Sequence, residues 1–125
     1  MKHIKKFENM QENPQIGDYV SCEDLDVDLF EYVHNFLSNN IGKIVKISDT
    51  NIDDYWPGKS IFRTHLVEFN TEPDKKVRLN YIDFKRHDKN INTIYFKSFN
   101  KKQILAFGKT IKEVELKLAQ KKYNI

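Results

Sequence analysis

At 125 residues, 39% hydrophobic and 13% aromatic, the chain is long enough to bury roughly two-thirds of its unfolded surface in one domain, and too aromatic to be a disordered segment. Its single cysteine, Cys22, excludes an intramolecular disulfide and a CxxC zinc knuckle, and predicts a reducing compartment, the cytoplasm. The net charge of +3 conceals two opposed halves: residues 1–74 carry 7 Lys/Arg against 14 Asp/Glu, and residues 75–125 carry 14 against 4, an asymmetry that steers charged partners.

In chain order, residues 1–15 read as a polar tail and residues 16–125 as a single domain. The basic start Met1-Lys2-His3-Ile4-Lys5-Lys6-Phe7 runs into polar residues with no secretory apolar segment after it. No apolar run approaches the ~20 residues that a membrane helix needs. Residues 16–22 place β-formers after a Gly17-Asp18 turn and predict a first strand. Leu29, Phe30, Val33, Phe36 and Leu37 then recur on one helical face, with Asp28 and Glu31 in capping-box spacing. Asn39, Asn40 and Gly42 are expected to end that helix.

Residues 42–47 predict a second strand, and residues 48–59, with Trp56-Pro57-Gly58, a loop. Residues 61–69 are rich in β-formers, and residues 77–81 alternate apolar and polar, which predicts a hairpin turning at residues 70–75. Residues 91–99 predict a further strand. Ile104, Leu105 and Phe107 are assigned to a helical segment, and Thr110 with Glu113 opens a last helix to about Lys122. The predicted order is β-α-β-loop-β-β-β-α-α. Val20, Ile44, Val45, Leu66, Val67 and Leu79 are expected mostly in the core or in the β-sheet that frames it.

Strands opening with Gly17-Asp18-Tyr19-Val20 and with residues 42–47 (GKIVKI), followed by Leu66-Val67-Glu68-Phe69, resemble the first strands of small SH3-like barrels of the KOW type. The resemblance implies an α+β fold: a small, partly open antiparallel SH3-like barrel with an inserted helix and C-terminal helices. Residues 1–8 (MKHIKKFE), 16–20 (IGDYV), 39–47 (NNIGKIVKI), 66–69 and 122–125 (KYNI) are similar to a group of small uncharacterised proteins of large-genome bacteriophages and related viruses. That likeness implies a viral origin.

Catalytic and metal motifs do not stand up to spacing. Asp24, Asp26 and Asp28 resemble the start of a calcium loop, but Leu29 stands where Gly is needed and Asn35 where a bidentate Glu is needed. The four histidines are dispersed, and Gly totals only 4, too few for a phosphate-cradling loop. No enzyme, cofactor or metal is expected. Binding surfaces fare better: bases interleave with aromatics in residues 81–87 and 95–99, a pattern that neutralises phosphates and stacks on bases. Lys85, Arg86, Lys89 and Lys97 are the candidate nucleic-acid contacts. Asp24 and Asp26, with Trp56 as an aromatic anchor, are the candidate contacts to a protein partner. The expected function is non-enzymatic binding of a host or viral protein or nucleoprotein, an inhibitor of a nucleic-acid-dependent host defence system being one form of it. Direct binding of RNA or single-stranded nucleic acid, and a minor virion or assembly role, are the alternatives.

Overall fold

The computed structural model describes residues 13–25, 28–51 and 61–122. Its strands are β1 (Tyr19–Cys22), β2 (Gly42–Asn51), β3 (Ile61–Phe69), β4 (Phe84–His87), β5 (Thr93–Phe99) and β6 (Ile104–Gly108). Its helices are α1 (Phe30–Asn39), α2 (Lys75–Asn80) and α3 (Ile111–Lys122), with a 3-10 turn at Lys101–Gln103. The fold is α+β. Six strands form one antiparallel sheet in the order β4-β5-β3-β2-β1-β6, which is open, with β4 and β6 at its edges.

The longest ladder, β2 with β3, runs from Lys43 opposite Glu68 to Asn51 opposite Ile61, with a bulge between Ile44 and Lys46. The extra residue resets the alternation so that Ile44 and Ile47 both meet the core. On β3 the odd positions His65, Val67 and Phe69 are buried. Opposite them on β5 lie Phe99, Lys97 and Tyr95. Helix α1 covers this face with Val33, Phe36 and Leu37. Phe36 meets Phe69 edge-on with centroids 5.1 Å apart. Each aliphatic side chain so buried contributes about 1.5–3 kcal/mol.

Of the expected core, Val20, Ile44 and Val67 are fully buried, whereas Val45 and Leu66 are half-buried. Leu79 is 67% exposed. The apolar–polar alternation of residues 77–81 predicts a strand there, but residues 75–80 are helix α2, whose start is capped by the Asp74 carboxylate accepting from Lys76 N at 2.9 Å. The buried pair Val77 and Tyr81 suits either period, i and i+4 on a helix or i and i+4 on a strand, and the cap decides for the helix. The partner of β3 is therefore β5, not residues 77–81.

Three further expectations need correction. Residues 104–108 are strand β6 rather than helix: an Asn100–Gln103 capping box limits the helical turn to residues 101–103, and the chain then pairs with β1. Helix α1 begins after Leu29 with no side-chain cap bond, so Asp28 and Glu31 do not form a capping box. Gly42 is not a helix terminator but the buried first residue of β2, where an added Cβ would lie 2.9 Å from the Glu68 carbonyl oxygen. The asparagines end α1 instead, Asn40 Nδ2 donating to Phe36 O at 2.8 Å. Thr110 does cap α3, accepting from Glu113 N at 3.1 Å. Residues 52–60 and most of the polar tail lie outside the described residues, as does the predicted loop beyond Asn51.

The sheet edges differ. At β6, Lys117 Nζ donates to Phe107 O at 2.6 Å and Lys121 Nζ donates to Leu105 O, so two outward carbonyls are closed by α3. At β4 no strand pairs with the outer side among the described residues. No helix among the described residues is long and apolar enough to cross a membrane.

Candidate functional site

The β4 end of the sheet is assembled from three consecutive pieces of chain. Helix α2 delivers Arg78 and Leu79 outward while Val77 and Tyr81 turn into the core. Asp83 then anchors the start of β4 to β5, its carboxylate accepting from Ser98 N at 2.9 Å and from Lys97 Nζ at 3.4 Å. The hairpin closes at Asp88, whose side chain accepts from Asn90 N at 2.8 Å and Asn92 N at 2.9 Å. The bonds from the Asn92 and Asn90 amides hold the Asp88 carboxyl below the usual carboxylate range. At the tip, Ile91 is 80% exposed and has a φ of 65°, a left-handed conformation that costs a β-branched residue energy.

All four residues of β4 are exposed. Phe84 stacks on Phe96 with centroids 4.6 Å apart and planes 14° apart, and Arg86 lies over the same Phe96 ring at 5.2 Å. Phe96 is thereby buried, while Phe84 keeps 48% of its surface in solvent. Next to it, Arg78, Leu79, Ile82, Phe84, Lys85 and Tyr95 line a small cavity of about 140 Å³. This is an apolar patch rimmed by cations, the composition of a contact surface.

The predicted nucleic-acid residues divide accordingly. Lys85, Arg86 and Lys89 are exposed and have no carboxylate partner among the described residues. Lys97 is committed internally, to Asp83 and to the face of the Tyr81 ring at 4.7 Å. Of the aromatics that would stack on bases, Tyr81, Tyr95, Phe96 and Phe99 are buried, which leaves Phe84 as the one with substantial exposure. Of the remaining basic residues, Lys75, Lys76 and Arg78 lie on α2, Arg78 paired with Glu72, while at the α3 end Lys109, Lys117 and Lys121 bond Asp18, Phe107 O and Leu105 O.

Of the predicted acidic contacts, Asp26 and Trp56 lie outside the described residues. Asp24 accepts the Tyr81 hydroxyl at 2.9 Å. Burial, and behind it this bond, pushes the Tyr81 hydroxyl above the usual tyrosine range. Asp24 is thus a partner for the core-facing tyrosine that carries Lys97 on its ring, and the acidic stretch abuts the basic hairpin through Tyr81. Asp28 and Glu31 remain exposed beside α1. Comparison with known proteins finds no matching family model, no matching curated protein and no matching solved structure.

Elsewhere, Cys22 and His65 are buried. Burial pushes the Cys22 thiol up, away from the reactive thiolate. His65 is buried, with Nδ1 3.1 Å from Phe99 O, and since that oxygen only accepts, Nδ1 carries the proton. Among the described residues no three His, Cys, Asp or Glu side chains converge on a point that could hold a metal ion. The apolar component of the β4 end was missed in the sequence because Leu79 was counted as core. The signal that would have found it is Asp74 ahead of Val77 and Tyr81, a cap followed by helical spacing.

Proposed function

We propose that this protein acts by non-enzymatic, stoichiometric binding of a protein partner, free or within a nucleoprotein, at the β4 end of its sheet. The observation that carries this reading is the coincidence of exposed Leu79 and Phe84 with the unpaired cations Lys85, Arg86 and Lys89. Apolar anchors ringed by charge are how protein interfaces combine affinity with selectivity. The neighbouring carboxylates Glu72, Asp83 and Asp88 are occupied by Arg78, by Lys97 and by hairpin amides, so this end presents net positive charge to an anionic partner. The likeness of β1, β2 and β3 to SH3-like strands, and of short segments to phage proteins, belongs to the same proposal: a virus-encoded binder directed at a host complex.

Direct binding of RNA or single-stranded nucleic acid is the second reading, favoured by the same three cations beside the Phe84 ring. It is the weaker one, because stacking platforms need several open rings and four of the hairpin-region aromatics are buried. The test is a pulldown from host lysate with and without nuclease, run with the native chain and with Lys85, Arg86 and Lys89 all changed to Glu. Capture that survives nuclease and is lost in the triple variant is expected. Capture abolished by nuclease replaces the protein-partner reading with the nucleic-acid one.

A further inference from the structure

Resting on that reading, we infer that the partner binds by strand addition: an acidic, extended segment pairs its backbone with the open side of β4. Asp88 N donates to Asn92 O at 2.9 Å, at the closed end of the hairpin. By the alternation of an antiparallel ladder, Arg86 and Phe84, opposite Ile94 and Phe96, are then the positions bonded to β5. The main-chain N–H and C=O groups of Lys85 and His87 consequently turn outward. A strand laid there satisfies all of them, with side chains alternating between the two faces of the sheet.

The occupant's chemistry follows from what surrounds that backbone. A second copy of this chain is disfavoured, because pairing β4 with β4 through both outward residues sets Arg86 opposite Arg86, and sliding by two residues sets Lys85 opposite Lys85. Like charges directly opposed across a ladder are destabilising. A segment bearing carboxylates meets Lys85, Arg86 and Lys89 instead, and one apolar side chain per turn of the pleat fits the cavity beside Leu79 and Ile82. Nucleic acid could use the cations but has no backbone that matches alternating N–H and C=O groups.

The probe is a labelled decapeptide alternating Glu and Val, compared with its Lys-for-Glu counterpart and with a decamer of uridine. Binding is followed by fluorescence anisotropy, and backbone hydrogen exchange is followed by NMR on the full chain. The acidic peptide should bind, the basic one should not, and the amides of Lys85 and His87 should slow by about ten-fold or more on binding. Because those N–H groups make no ladder bond, Lys85→Pro and His87→Pro should each weaken binding about ten-fold, the value of one or two lost hydrogen bonds, without lowering the melting temperature. If a proline variant misfolds, the exchange measurement on the native chain decides alone. Peptide binding that leaves both amides exchanging freely overturns strand addition and leaves the β4 end as a side-chain docking surface. Slowing of the same amides by uridine but not by peptide overturns both readings in favour of nucleic acid. Failure of peptide and oligonucleotide alike overturns strand addition, and the pulldown then decides separately whether the β4 end binds at all.

Discussion

Lys109→Met tests an ion pair that ties the two charge halves together through a buried group. Asp18 is fully buried, and its carboxylate accepts from Gln15 N and from Lys109 Nζ, each at 2.8 Å. Removing the ammonium leaves a buried carboxylate with one amide donor. Breaking a fully buried pair costs about 3–5 kcal/mol, but the Lys109 side chain is 56% exposed, so solvent screens part of the attraction and water partly replaces it. The expected loss is about 1–3 kcal/mol. Urea denaturation should show it as a lower midpoint with an unchanged slope. In an Asp18→Asn background the buried charge is gone, and the same Lys109→Met change should cost less than about 0.5 kcal/mol. An equal cost in both backgrounds would show that Lys109 acts by packing alone and would refute the electrostatic argument.

Gly42→Ala should destabilise by about 1–3 kcal/mol, read by thermal melting, because the new methyl collides with β3 where Gly42 presses on Val67, Glu68 O and Phe69. Ile91→Gly should raise stability by up to about 1 kcal/mol through relief of the left-handed strain; a loss of stability would mean that the exposed isoleucine packs on something. Cys22 should resist a thiol reagent at pH 8 in the native chain and react at once in denaturant, since burial both hides it and suppresses its thiolate; fast native labelling would contradict this.

Elements whose apolar period is unambiguous were legible in the sequence. Val33, Phe36 and Leu37 could only share a helical face, and His65, Val67 and Phe69 a strand face. Where the pattern fits two periods, pattern alone fails: Val77 and Tyr81 satisfy both, and a side-chain cap at Asp74 settles what hydrophobicity leaves open. Strand β6 was missed for a different reason. Ile104-Leu105-Ala106-Phe107 has no clean alternation, and what makes it a strand is β1, a partner at the other end of the chain. The basic positions Lys85, Arg86 and Lys89 lie at the surface, as charged side chains on an edge hairpin do. Lys97 was not separable from them, because its partner Asp83 becomes a neighbour only once the β4–β5 hairpin folds. Asp24 likewise looked available until Tyr81 was seen to reach it across the core boundary.

The lysines that α3 lays on the carbonyls of β6 have a consequence for assembly. A sheet with two open edges is a monomer unit for a fibre, since each added strand recreates the edge it covers. Here one end of the ladder is terminated by Lys117 and Lys121, and the other is short and cationic. Any added strand is therefore expected at the β4 edge alone. If β4 receives a strand as proposed, the helix closes the far edge of the same sheet, and the expected ratio of protein to partner is one to one.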